Sequence, residues 1–213
     1  MSKALSARGP VFDPVWWQFN MLPSKTLHPS HRPDYPPGPA WAAIHASTAY
    51  ADIWHWHWSR HILRSLGIWD RPAALETAAT GWLVSYDAAG LLLLAKRMGA
   101  VLCAPRVRRC VSGAWVRRLA ATLGQDLYAL TLLGEAAPHP GLDGVAFDTP
   151  ETAVARMEAL GWGALRLATD CDDDALRLRM ALRLPADAAA PEGLPAPDAL
   201  ALAKALDTPE NRR

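Results

Sequence analysis

The run IWHWHWSRH, Ile53 to His61, holds three histidines and three tryptophans in nine residues. Imidazole is a common metal ligand and indole a large apolar anchor. Two chemistries therefore compete for this run: a metal or haem site, or a helix with one polar and one aromatic face. On a strand the tryptophans would take one side and the histidines the other. No turn residue interrupts the run into ILRSL, so the spacing predicts a helix. At about 100° per residue, His57, Arg60, His61 and Arg64 share a polar sector, while Trp54, Trp58 and Ile62 form a ridge. Leu66 extends the apolar face and His55 points into it as a hydrogen-bonded core histidine. His57 and His61 stand one turn apart, a spacing that can chelate zinc or another borderline metal. No HExxH pattern supplies a general base, the third ligand must come from elsewhere, and Arg60 and Arg64 oppose a cation. The expectation is an amphipathic helix with its stripe turned outward; a metal site at His57 and His61 is the alternative.

A second set of residues is basic. No acid occurs between Asp87 and Asp126, yet Lys96, Arg97, Arg106, Arg108, Arg109, Arg117 and Arg118 all fall there. Such a stretch can dock an acidic protein surface, a phosphate or nucleic acid. Only Trp115 is interleaved, so single-strand stacking is poorly served. Arg106, Arg108, Arg109, Arg117 and Arg118, with Arg60 and Arg64, are the candidate partner-binding residues. The competing use is solvation and internal pairing, above all for Arg108 and Arg109. Asp172, Asp173 and Asp174 could pass for paired catalytic carboxylates, but their place before a helical pattern predicts capping. Cys103 and Cys110 read as buried structural thiols on an apolar face. GxSxG, P-loop and GxGxxG patterns are all missing, so no catalytic residues and no cofactor are expected.

These residues need a scaffold. The chain has 213 residues, 51% of them hydrophobic, with a formal net charge of +1. That balance predicts one globular domain and argues against bulk nucleic-acid or membrane-surface binding. The longest apolar run, AAGLLLLA, is far short of the ~20 residues of a membrane span. The first ten residues show no signal-peptide pattern, and three scattered cysteines read as reduced, so a cytoplasmic protein is expected.

Proline punctuates residues 1–39, predicting an irregular arm whose Trp16, Trp17, Phe19, Met21 and Leu22 dock on the body. The proline-free stretch 41–71 predicts one helix, or two joined near Ser47 and Thr48, with Pro39 at the start, Gly67 just past the end and Pro72 beyond. Further helices are predicted over 73–86, over 88–98 closed by Gly99, and in a short piece at 105–111. Others span 114–123 closed by Gly124 and 125–133 closed by Gly134, followed by a loop over 136–148. Thr149 caps a helix that begins at Pro150 and runs to about residue 160. A helix over 175–184 stops at Pro185, and a short one covers 199–206. The fold class expected is all-α: a single compact multi-helix domain at 40–185, between the proline-rich arm (1–39) and a flexible Ala/Pro-rich tail (186–213).

Three segments carry a resemblance. FNMLPSKTLHPS (Phe19–Ser30), KRMGAVLCAPRVRRCV (Lys96–Val111) and LRLRMALRLP (Leu176–Pro185) resemble, in order and spacing, blocks of the SctK family of type III secretion systems. The resemblance spans residues 20 to 185, and the central block is its strongest part. It implies a mostly helical, non-enzymatic adaptor of the cytosolic sorting platform. Such a protein links the cytoplasmic domain of the inner-membrane ring protein SctD to the scaffold SctQ, in pods that carry SctL and reach the ATPase SctN. It implies protein partners, no nucleic acid, no cofactor, and a place at the cytoplasmic face of the bacterial inner membrane. The HWHWSRH run belongs to none of the three blocks.

Overall fold

The computed structural model describes residues 13–36 and 50–208. Among them are eight α-helices and no strand. They are α1 (Pro14–Met21), α2 (Ala51–Ser65), α3 (Ala88–Arg108), α4 (Gly113–Leu123), α5 (Gln125–Thr131), α6 (Pro150–Ala168), α7 (Asp174–Ala181) and α8 (Ala196–Leu206). The chain is an all-α single domain built around the pair α3 and α6.

Helix α3 begins where the Asp87 carboxylate accepts from Gly90 N at 2.7 Å. Its Leu91, Leu94, Met98, Val101 and Leu102 are buried, each removing about 1.5–3 kcal/mol worth of apolar surface from water. It is long and apolar enough to cross a membrane, and 61% of its apolar window is buried in the domain. Gly99 does not close this helix, and the expected piece at 105–111 is its continuation. The reason is the crossing with α6. A Cβ on Gly99 would lie 1.8 Å from the Met157 carbonyl oxygen, and one on Gly161 1.8 Å from that of Ala95. The glycines serve close backbone approach rather than termination. Pro105 sits inside the helix, and one turn earlier the Leu102 carbonyl accepts from Leu142 N at 2.8 Å. Thr149 caps α6 with Pro150 at its first position, as the sequence predicts. That helix passes residue 160 and ends at Ala168, because Gly161 and Gly163 are packing positions there too. Gly124, at φ +80°, joins α4 to α5 as expected, while α5 ends at Thr131, two residues early.

The helix expected over 73–86 is absent. Loop and turn cover most of it, with a 3-10 turn at Gly81–Ser85. Asp172 takes the amides of Ala79 and Thr80, and the Thr80 hydroxyl, for itself. Asp172 is therefore a clamp on this loop rather than a helix cap. Capping of α7 falls to Asp173, which accepts from Leu176 N, while Asp174 pairs with Arg177 at 2.7 Å.

The short helix expected over 199–206 is present as α8, and Ala188 and Leu194 in the stretch before it are buried. Ala199, Leu202, Ala203 and Leu206 of α8 are buried in the main core, and Tyr86 donates to Asp207 just beyond. The described part of the N-terminal arm, 13–36, docks, as its apolar residues predict, but as α1 and two 3-10 turns rather than irregular chain. Leu27 shares a smaller core with Trp54, Trp58, Ile62 and Leu182. Helix α2 ends at Ser65 with Gly67, at φ +68°, just past its cap, as the sequence predicts. Its expected start at 41 and the joint at Ser47 and Thr48 lie outside the described residues.

Two buried arginines lock the arm and loops to α7. Arg179, 1% exposed, donates to the carbonyls of Asn20, Ile68, Arg71 and Ala175 at 2.9–3.3 Å. Arg183 donates to those of Leu83, Val84 and Tyr86. Burial pushes both guanidinium groups down to about 10, and both keep their charge at neutral pH. Asn20 completes the joint by holding Ala73 N at 2.7 Å and Ala73 O at 3.3 Å.

Two stability outcomes follow. Gly99→Ala or Gly161→Ala forces two backbones apart and costs about 1–3 kcal/mol by urea denaturation, since the obstructing atoms are main-chain. Arg179→Lys keeps the charge but loses the planar fork, costing about 2 kcal/mol and speeding amide exchange around residues 20 and 68–73.

Candidate functional site

Helix α2 folds as its periodicity dictates. Trp54, Trp58 and Ile62 are buried against the arm, while His57, His61 and Arg64 are exposed. His55 is half-buried and faces the arm: its Nδ1 lies 2.8 Å from Ser24 Oγ, which also reaches Ser59 Oγ at 2.8 Å. Among the described residues no group of three His, Cys, Asp or Glu is placed to hold a metal, so His57 and His61 gain no third ligand there.

The polar stripe is joined to an aromatic run. The Arg60 guanidinium lies 5.8 Å from the centre of the Trp69 ring, over its face. Trp69 meets Trp56 edge-on at 5.5 Å, and Trp56 stacks on Trp17 of α1 at 6.3 Å with the planes 5° apart. Beside them Ile53 is 53% exposed, and Trp17 itself 37%. A shallow groove here is lined by Trp17, Leu22, Ile53 and Trp56, with Lys25 and Asp52 at its rim. Those two form an ion pair at 2.8 Å, and the hydrogen bond from Lys25 holds the Asp52 carboxyl below its ordinary value. This groove was not legible as a site in the sequence. The signal was present, since Ile53, Trp56, His57, Arg60 and Arg64 fall on one helix face.

The arginine block is divided among different tasks. Arg106 lies over the Phe147 ring at 5.5 Å, and Trp115 stacks on the same ring at 5.9 Å. Arg109 pairs with Asp143 at 2.9 Å and Arg118 with Glu151 at 2.6 Å, all four side chains being largely exposed. Arg108 and Arg117 are exposed, and among the described residues neither has a carboxylate within ion-pair range. The acids that answer the block come from the 138–149 loop and the start of α6, outside the acid-free stretch. The block is thus partly a fastening of α3 and α4 to that loop, with Arg108 and Arg117 left outward.

The three thiols differ. Cys103 is fully buried and its thiol is pushed up to about 12 by burial. Cys110 is half-buried beside Arg106, and Cys171 is exposed, so only Cys103 sits in the core as the sequence suggests. A cavity of 450 Å³ between α1 and the start of α3 is lined by Phe19, Lys25, Tyr86, Leu91 and Arg183, but the Arg183 guanidinium is taken up by carbonyls. Comparison with known proteins finds no matching family model, no matching curated protein and no matching solved structure.

The exposed pairs and the shared ring separate in measurement. Arg109→Ala and Arg118→Ala each change stability by under about 1 kcal/mol, because solvent screens them. Phe147→Ala costs about 3 kcal/mol or more, since a buried ring that carries both Trp115 and Arg106 is lost. Urea midpoints of the three variants test this.

Proposed function

We propose that this chain is a non-enzymatic adaptor of a type III secretion sorting platform, an SctK-like link between the SctD-type ring protein and the scaffold SctQ. One observation carries the reading. The first and third blocks of the resemblance, about 150 residues apart, bond to each other in space. Asn20 O accepts from Arg179, and His28 N donates to Leu182 O at 2.8 Å. Just past the blocks, His31 Nε2 sits 2.9 Å from Ala181 O, and Ala186 N donates to Ser30 Oγ at 2.9 Å. The first and third blocks are thus fastened into one folding unit, which supports reading them together.

What remains exposed suits an adaptor. Tryptophan, arginine and isoleucine anchor interfaces, and two outward cationic sets lie on different elements. One set is on α2, against the N-terminal arm; the other is at the end of α3 and on α4, against α6 and its loop. Two such sets can serve two partners. The cytoplasmic location and the passage through SctL to SctN belong to this proposal.

Co-purification of the tagged chain from a bacterium that builds the system tests it. The expected outcome is recovery of SctQ or the SctD-type protein without stoichiometric metal. Recovery of the chain alone, carrying metal in proportion to protein, refutes the adaptor reading and returns attention to His57 and His61. Charge reversal at Arg108 and Arg117 is expected to weaken recovery of one partner by about tenfold, with the fold intact by circular dichroism.

A further inference from the structure

The outer face of α2 changes character along its length. Its first half presents Ile53 and Trp56, continued across the groove by Trp17 of α1 and by Leu22. Its second half presents His57, Arg60, His61 and Arg64. Ile53 to Arg64 spans eleven residues, or about 16 Å along the axis. No acid occurs between Asp52 and Asp70, and among the described residues no carboxylate pairs with Arg60 or Arg64. Asp52, at the apolar end, is matched by Lys25. An apolar groove thus runs into a cationic stripe through one set of touching rings, with Arg60 resting on Trp69 at the join.

We propose that this face is a docking site for an acidic amphipathic segment of a partner protein. That segment places an apolar side chain against Ile53 and the Trp17–Trp56 stack, and carboxylates two to three helical turns further on, against Arg60 and Arg64. This rests on the adaptor reading and names the chemistry of one partner. Charge complementarity sets the occupant: the stripe lacks its own acids, and the groove needs an apolar plug. A lipid surface fits less well. Polybasic membrane sites gather about four to eight Lys or Arg, and this face offers two. The groove is also a shaped cleft between two helices.

The test uses the full chain, with purified SctQ-type and SctD-type proteins as probes. Ile53→Asp and Arg64→Glu alter exposed side chains, so both variants keep the wild-type melting temperature. Both are expected to weaken the same single partner by about tenfold or more. The loss in Arg64→Glu shrinks in high salt, and Arg117→Glu leaves that partner bound. Wild-type binding that neither variant changes overturns the docking site and leaves the adaptor reading standing. Wild-type binding to neither probe sinks the adaptor reading. A labelled helical peptide, with leucine on one turn and glutamates two turns on, then decides the site against its Glu→Lys twin. A preference of about tenfold for the acidic peptide, lost in Ile53→Asp, supports the site; equal binding overturns it. Overturning outcomes also include Ile53-dependent adsorption to phosphatidylglycerol vesicles without acidic-peptide binding, which marks a lipid surface. Ile53-dependent dimers in sedimentation mark a second copy. A melting temperature lowered by Ile53→Asp marks a face already covered by the chain itself.

Discussion

The close crossing of α3 and α6 is the contact on which the rest of the molecule depends. Two glycines, Gly99 and Gly161, each meet the opposite backbone where no Cβ would fit. Two helices that touch by their main chains are fixed in register and angle, because the contact cannot slide without striking a side chain. Leucine and methionine on either side then fill a core whose geometry is already set. Helices α4, α5 and α8 occupy the flanks of this pair. The cost of glycine inside two long helices is offset by the many buried contacts that the crossing permits.

A second constraint is electrostatic. The domain buries two arginines and satisfies them mainly with carbonyl oxygens. A carbonyl carries only a partial charge, so desolvation dominates and both groups are held below their ordinary range. Each guanidinium gathers loop ends that have no regular secondary structure to satisfy them. The corner at 68–71, the last turn of α1 and the turn at 83–86 all end on α7 or just after it. Such loops have few other ways to meet their hydrogen-bonding needs, which is why the arginine side chains act as joints.

The sequence was most legible where short-range physics decides. The capping of α6 by Thr149 and Pro150, the Gly124 junction and the two faces of α2 follow from local rules, and the structure agrees with each. It was least legible where a distant residue decides. Gly99 reads as a helix end until Met157 is placed beside it. Residues 73–86 read as a helix until Asp172, some ninety residues away, takes their amides. Residues 185–197 read as linker because alanine and proline lack bulk, yet Ala188 and Leu194 there are buried against the domain. The site followed the same division. The Arg60–Arg64 stripe was visible from period alone. The aromatic groove was not, since it needs Trp17 from the arm and Trp69 from beyond the helix to complete what Trp56 begins.

Helix α2 shows how a run that looks like a metal site can instead build an aromatic and cationic surface. A helix that binds a metal must turn its imidazoles toward other ligands. Here the histidine nearest the body, His55, turns to Ser24 in the arm. His57 and His61 turn away, in the company of two arginines. Alternating tryptophan and histidine on a helix sends successive rings to different sides. Trp54 and Trp58 then anchor the helix inward, while Trp56 is left to stack outside with Trp17. One pattern thus holds the helix to the domain and builds an aromatic surface on its far side. The stiffness of that surface follows from the anchoring beneath it: rings already stacked lose little freedom when something docks on them. A helix built this way is suited to recognition, because its inner face bears the load and its outer face is free to differ in chemistry from end to end.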